Sequence, residues 1–227
     1  MEKVLKVVKW EPLEVATYPV GLDEASEDLQ NLIQKQRGTK VVIGIAGLSG
    51  IGKSTLAKHI FNLKRLEFKR SCYLSNIREK VDLTSLQRQL LCDLLGIDVN
   101  IANTDLGKAI LRNSLGGLKI LIVLDDVDDK EKIKNLLDTD AVGPGSVILI
   151  TSRNKDVITR SSANINTVLY DVKPLKRKHA HELFCRHAFL QSKPFEGYED
   201  LVEKFLEMCG GLRLCVKVLG ETTCWQA

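Results

Sequence analysis

Nine residues constrain this chain more than the rest of it together. Gly47-Leu-Ser-Gly-Ile-Gly52-Lys53-Ser54-Thr55 fits the spacing G-x-x-x-x-G-K-[ST] at every fixed position. It follows an unbroken apolar run, KVVIGIA (40–46), and precedes an amphipathic segment read as a helix from Lys53 to Leu66. Each residue type has its own reason. Glycines at 47, 50 and 52 carry no Cβ, so the backbone can curl its N–H groups inward. Those amides and the tip of the following helix make a site for phosphate oxygens. Ile51 sits inside the turn, and Lys53 brings a mobile positive charge. The Ser54 hydroxyl, beside Thr55, is suited to hold Mg²⁺.

Such a loop needs an acidic partner at the end of another buried strand. KILIVLDD (119–126) supplies it: Asp125 is placed to accept from a Mg²⁺-bound water, and Asp126 to orient an attacking water as general base. Arg153 follows a third apolar run, VILITS (147–152), and would point into the crevice at the carboxyl ends of the strands.

The rest of the chain fits an α/β fold. Runs at 40–46, 72–77, 119–124, 147–152 and 165–172 are expected as five strands, without the polar alternation of a half-exposed sheet. Helices are expected from Asp23 as N-cap, at 83–96, at 105–115 and near 130–137. Strands alternating with helices imply a parallel sheet with right-handed crossovers. Residues 1–18 read as a linker and 19–172 as the nucleotide-binding unit. From Lys173 the pattern is helical only, with Leu183, Phe184, His187 and Ala188 on one stripe; 173–220 reads as a partial helical unit and 221–227 as a tail without period.

Bulk composition excludes several functions. A net charge of +4 is too mild for a concentrated nucleic-acid face. The apolar stretch from Val41 to Ile51 is too short for a bilayer, and no signal-peptide core opens the chain. The six cysteines form no C-x-x-C pair and read as reduced, buried thiols. His179, His181 and His187 lack a partner at metal spacing. The expected location is the cytoplasm, with the nucleus as the alternative.

Taken together, the motifs resemble the nucleotide-binding (NB-ARC) domain of plant intracellular immune receptors of the TIR-type NB-LRR class. PLEVATYPVGLD (12–23) is similar to the linker before that domain, GLSGIGKSTLA (47–57) to its P-loop, and FKRSCYLSNIRE (68–79) to its next block. KILIVLDDVDD (119–129) resembles its Walker B block, with Asp129 as the TIR-type ending; GSVILITSRN (145–154) resembles its sensor block, and YDVKPLKRKHAHELFCRHAF (170–189) the start of its first helical (ARC1-like) subdomain.

The resemblance implies a P-loop NTPase with a five-stranded parallel sheet flanked by helices, followed by an incomplete helical subdomain. It implies an ADP- or ATP-bound switch in defence signalling that hydrolyses slowly at most, and that associates with itself or with other receptor domains. It carries phosphate and Mg²⁺ binding to Gly47, Gly52, Lys53, Ser54 and Thr55, the Walker B role to Asp125, the base to Asp126 and the sensor to Arg153. Val20-Gly21 falls where the main chain reads adenine.

The alternatives are an active AAA-like ATPase and a truncated interaction module. The family's G-L-P-L stands here as Gly211-Leu212-Arg213-Leu214, which is expected to weaken base packing unless Arg213 reaches a phosphate. A second helical subdomain, with its M-H-D motif, is not reached. The chain is therefore expected to be a fragment, a truncated product or a stand-alone relative.

Overall fold

A computed structural model describes residues 11–161 and 165–223. The first ten linker residues, Cys224 and the end of the tail lie outside them.

Five strands form one parallel sheet: β1 (Val41–Ala46), β2 (Arg70–Leu74), β3 (Ile120–Leu124), β4 (Val147–Ser152) and β5 (Asn166–Asp171), in the order β2-β3-β4-β1-β5. Every residue of β1, β3 and β4 is buried, because helices cover both faces. β5, at one edge, is half exposed.

Successive side chains of β1 point to opposite faces and feed two cores. Val42 joins Ile122, Leu124 and Ile150 against α3 (Leu83–Leu95), α4 (Thr104–Leu115) and α5 (Lys130–Leu136). Ile43 and Ile45 join Val123 and Leu149 against α1 (Asp23–Lys35) and α2 (Lys53–Lys64). In α3 the buried Leu86, Leu90, Leu91 and Leu94 form one stripe. Each contributes roughly 1.5–3 kcal/mol on leaving water. Side-chain caps fix the starts of these helices: Asp82 accepts from the Thr84 N–H, Asn103 from Leu106 and Asp129 from Glu131. Asp129 thus has a local structural task in this chain.

Several boundaries differ from expectation. The second strand runs over Arg70–Leu74 rather than 72–77, because Asn76 adopts a left-handed conformation (φ 53°) that turns the chain into a 3₁₀ turn, Ile77–Glu79. The helix after the glycine loop stops at Lys64, and a 3₁₀ turn, Arg65–Glu67, replaces its last residues. Leu22, not Asp23, is the N-cap of α1. A short helix that carries no long apolar period, α6 (Lys155–Thr159), follows β4. Cys92 is exposed on the outer face of α3, against the expectation of buried thiols, whereas Cys72, Cys185 and Cys209 are buried.

Beyond β5 come α7 (Arg177–Ala188), α8 (Glu199–Cys209) and α9 (Arg213–Thr222). They share a third core of Leu183, Phe184, Val202, Leu206 and Val216, into which Val20 also packs. One backbone bond joins this layer to the glycine loop, from Leu214 N–H to Gly50 O at 2.9 Å, and a second, from Leu175 N–H to Gly211 O at 2.9 Å, ties the start of the layer to the turn before α9. The linker is fastened as well, since Leu13 exchanges two hydrogen bonds with the Asn62 amide of α2, at 3.0 and 2.8 Å. No helix among the described residues is long and apolar enough to cross a membrane.

Candidate functional site

In an open parallel sheet the crevice lies where neighbouring strands send their connections in opposite directions. Here the chain leaves β1 for the far edge strand β2, returns through β3 and β4, and passes to the other side of β1 as β5. The glycine loop leaves the carboxyl end of β1, and Arg153 leaves the end of its neighbour β4.

The loop curls as its composition requires. Gly50 and Gly52 have φ of 75° and 112°, values that side chains with a Cβ rarely adopt. Space is short as well: a Cβ on Gly50 would stand 2.9 Å from Leu214 Cβ, and one on Gly52 would stand 3.0 Å from Arg213 Nε. Gly52 is the N-cap of α2 and supplies no side-chain cap, so the helix tip keeps its N–H groups for an outside acceptor. Lys53, 7% exposed, spans the loop and donates from Nζ to Gly47 O at 3.0 Å and to Leu48 O at 2.8 Å. Burial lowers its pKa, and the neighbouring Arg153 lowers it further. An anion beside the ammonium would offset both.

At the end of β3 the two aspartates part ways. Asp125 is buried, and its Oδ1 accepts from Thr151 Oγ1 at 2.6 Å. The same hydroxyl oxygen accepts from the Asp126 N–H at 2.8 Å. Asp126, at a left-handed φ of 53°, turns its carboxylate outward. There Oδ1 meets Arg78 Nη2 at 3.2 Å and Arg153 Nε at 3.9 Å. Arg78 comes from the 3₁₀ turn after β2; it lies within the block at 68–79, but sequence reading assigns it no role in the site.

Two cavities flank the loop. The first, about 470 Å³, gathers Gly50, Gly52, Lys53, Ser54, Thr55, Asp126, Arg153 and Arg213. Its wall holds five basic side chains, Lys53, Lys58, Arg153, Arg213 and Lys217, against the acidic Glu14 and Asp126. The second, about 440 Å³, lies on the other side of Gly52 and is lined by Gly21, Ile51 and Arg213, with an apolar wall of Leu22, Leu56, Val172 and Pro174. Val20, Gly47 and Asp125 line neither cavity. Val20 is turned into the helical core, and Asp125 stands one layer behind the surface.

The helical layer adds residues that sequence reading passed over. His187 lines the first cavity with its ring edge-on to Tyr18, 4.9 Å between centroids, and its Nδ1 is 3.4 Å from Glu221 Oε1. Burial holds its pKa below the ordinary histidine value. Thr17, Tyr18 and Glu14 bring the linker to the same wall. An apolar stripe was visible at His187, but a linker residue facing a cavity leaves no periodic signal.

This geometry can be set beside known proteins. The family model of the NB-ARC domain matches residues 22–193. Disease resistance protein RUN1 of Vitis rotundifolia is 34% identical over 225 residues, which is 96% of this chain and 17% of that protein. TMV resistance protein N of Nicotiana glutinosa is 36% identical over 211 residues, 89% of this chain and 18% of that protein. The chain thus spans about a sixth of the length of these relatives. Among solved structures, C. elegans PCH-2 shares the fold with a TM-score of 0.51 at 11% identity, over 84% of this chain and 59% of that one.

Proposed function

The chain belongs to the NB-ARC domain family, and from that premise we propose that it binds ADP and ATP at the Gly47–Thr55 loop and acts as a slow nucleotide-dependent switch in plant defence signalling. One observation carries the reading: a cation-rich cavity sits on a curled glycine loop and is closed on its far side by the helical layer. A polyphosphate matches the excess of positive charge, and its lodging between two packed layers lets occupancy bias their docking.

In this reading the loop amides and Lys53 hold the phosphates, and the second cavity beside Gly21 takes the base against its wall of Leu22, Leu56, Val172 and Pro174. Val20-Gly21 contributes main chain there, consistent with the Val20 side chain being turned away. Ser54 and Asp125 offer the hard oxygen donors that suit Mg²⁺. Because Asp125 is enclosed behind Thr151, it would act on the ion through a water. The bound ion would neutralise phosphate charge. Arg153 reads the terminal phosphate, and Asp126 orients water. Two guanidiniums already engage the Asp126 carboxylate, which favours long-lived occupancy over rapid turnover. The relatives' disease resistance suggests that the chain works within a longer cytoplasmic receptor, where self-association or contact with neighbouring domains transmits the state.

Titration calorimetry with ADP and ATP in the presence of Mg²⁺ tests the proposal. Binding tighter than millimolar is expected for both. If neither binds in that range, the chain is an interaction module and not a switch. A steady turnover above about 1 s⁻¹ would favour the AAA-like ATPase instead. For Asp126→Ala, ATP affinity near the parent's is expected with turnover lost, read by phosphate release. Unchanged hydrolysis removes Asp126 from the role of base.

A further inference from the structure

Arg213 is the first residue of α9 and belongs to the helical layer, yet its side chain lies against the phosphate loop. Its Nε is where a Cβ on Gly52 would come within 3.0 Å, and it lines both cavities at the wall they share. The next residue is tied to the same loop through the Leu214 N–H bond to Gly50 O at 2.9 Å. Nη1 of Arg213 is shut off from solvent and has no hydrogen-bond partner among the described residues. Burial lowers the guanidinium pKa, and no carboxylate among the described residues offsets it. A planar cation with up to five donors thus stands half-buried beside the α2 tip with Nη1 unpaired, and its side chain lines both cavities, where its other donors can meet a ligand's oxygens.

We propose that Arg213 is the helical layer's own contact to the nucleotide phosphates. Its guanidinium donates to phosphate oxygens of a nucleotide seated on the Gly47–Thr55 loop, and so ties occupancy of the loop to docking of α9. A guanidinium fork matches phosphate oxygens in pairs, which a proline at this position cannot do. The loop binds phosphate from the sheet side through Lys53 and the α2 tip. Arg213 binds it from the opposite layer, so the ligand bridges the two. This inference rests on the nucleotide-binding reading above.

The test compares the parent chain with Arg213→Gln and Lys53→Ala, using ADP and inorganic pyrophosphate, each displacing a fluorescent ADP analogue. Arg213→Gln is expected to weaken both ligands by about tenfold or more, the size of a lost charge-assisted hydrogen bond. Hydrogen exchange adds a second readout. ADP should slow the Leu214 amide and the α9 amides in the parent, and this protection should be lost in the variant. Unchanged or tighter ADP binding, or α9 protection that persists, overturns the proposal. So does weaker ADP with unchanged pyrophosphate, which would assign Arg213 to the base. Should the glutamine variant not fold, Arg213→Lys keeps charge and stem but not the fork; it is expected to lose part of the ADP affinity, and full affinity overturns the proposal. A parent that binds no nucleotide sinks the underlying reading. A parent whose binding is removed by Lys53→Ala and untouched by Arg213→Gln sinks only this one.

Discussion

Lys53→Ala is expected to reduce ADP and ATP affinity at least a hundredfold, to the limit of calorimetric detection. Lys53 is 7% exposed, and its ammonium already donates to the carbonyls of Gly47 and Leu48. Two of its three N–H bonds hold the loop's curl, and the third is left for a phosphate oxygen. The alanine variant loses that charge-assisted contact, on the order of 1.5–3 kcal/mol. It also loses a positive charge from a cavity where burial strengthens electrostatics. In addition, two loop carbonyls lose their donor, so the curl itself loosens. Every 1.4 kcal/mol is about tenfold in affinity, so the lost contact alone is worth about ten- to a hundredfold, and the lost charge and the loosened curl add to it. Lys53→Met separates the ammonium from the stem, because it keeps a packed side chain and removes the charge together with its N–H donors. Equal losses in the two variants would assign the effect to the ammonium, whereas near-parental binding in either would remove Lys53 from the site.

How far the site can be read without coordinates depends on what kind of signal each residue leaves. The glycine loop is legible because backbone curling demands residues without Cβ at fixed spacing, and β3 and β4 because strands buried on both faces are continuous apolar runs. Asp125, Asp126 and Arg153 follow, since they close such runs. The order β2-β3-β4-β1-β5 is not legible in this way, because an apolar run does not name its neighbours. Arg78 was missed for a related reason. It reaches Asp126 only because Asn76 turns the chain after β2, and that turn was read as strand. The linker at Glu14–Tyr18 and His187 reach the cavity through docking between layers, which has no local period. Arg213 stood out only as a departure from a resembled motif. Its placement against Gly52 shows what that departure puts there: a cation at the seam of two cavities.

That seam makes the stability of the helical layer a functional quantity, and Phe184→Ala is expected to show it. Phe184 is fully buried at the centre of the third core and stacks on Phe205 with 5.6 Å between ring centroids. Truncating such a ring costs about 3–5 kcal/mol, transfer and cavity terms together. Against a whole-domain stability of roughly 5–15 kcal/mol this is a large share, and it falls on a layer that has its own core. The sheet's two cores contain none of the atoms removed. Amides of α7, α8 and α9 are therefore expected to exchange faster by about two to three and a half powers of ten, while those of β1, β3 and β4 keep near-parental protection. Equal loss across all elements would mean that the two layers unfold as one unit. In the separate case, α9 no longer holds Arg213 against Gly52, and ADP affinity should fall by the same factor as in Arg213→Gln. A Phe184→Ala variant that frees the helical layer and still binds ADP like the parent would show that the phosphates are held from the sheet side alone.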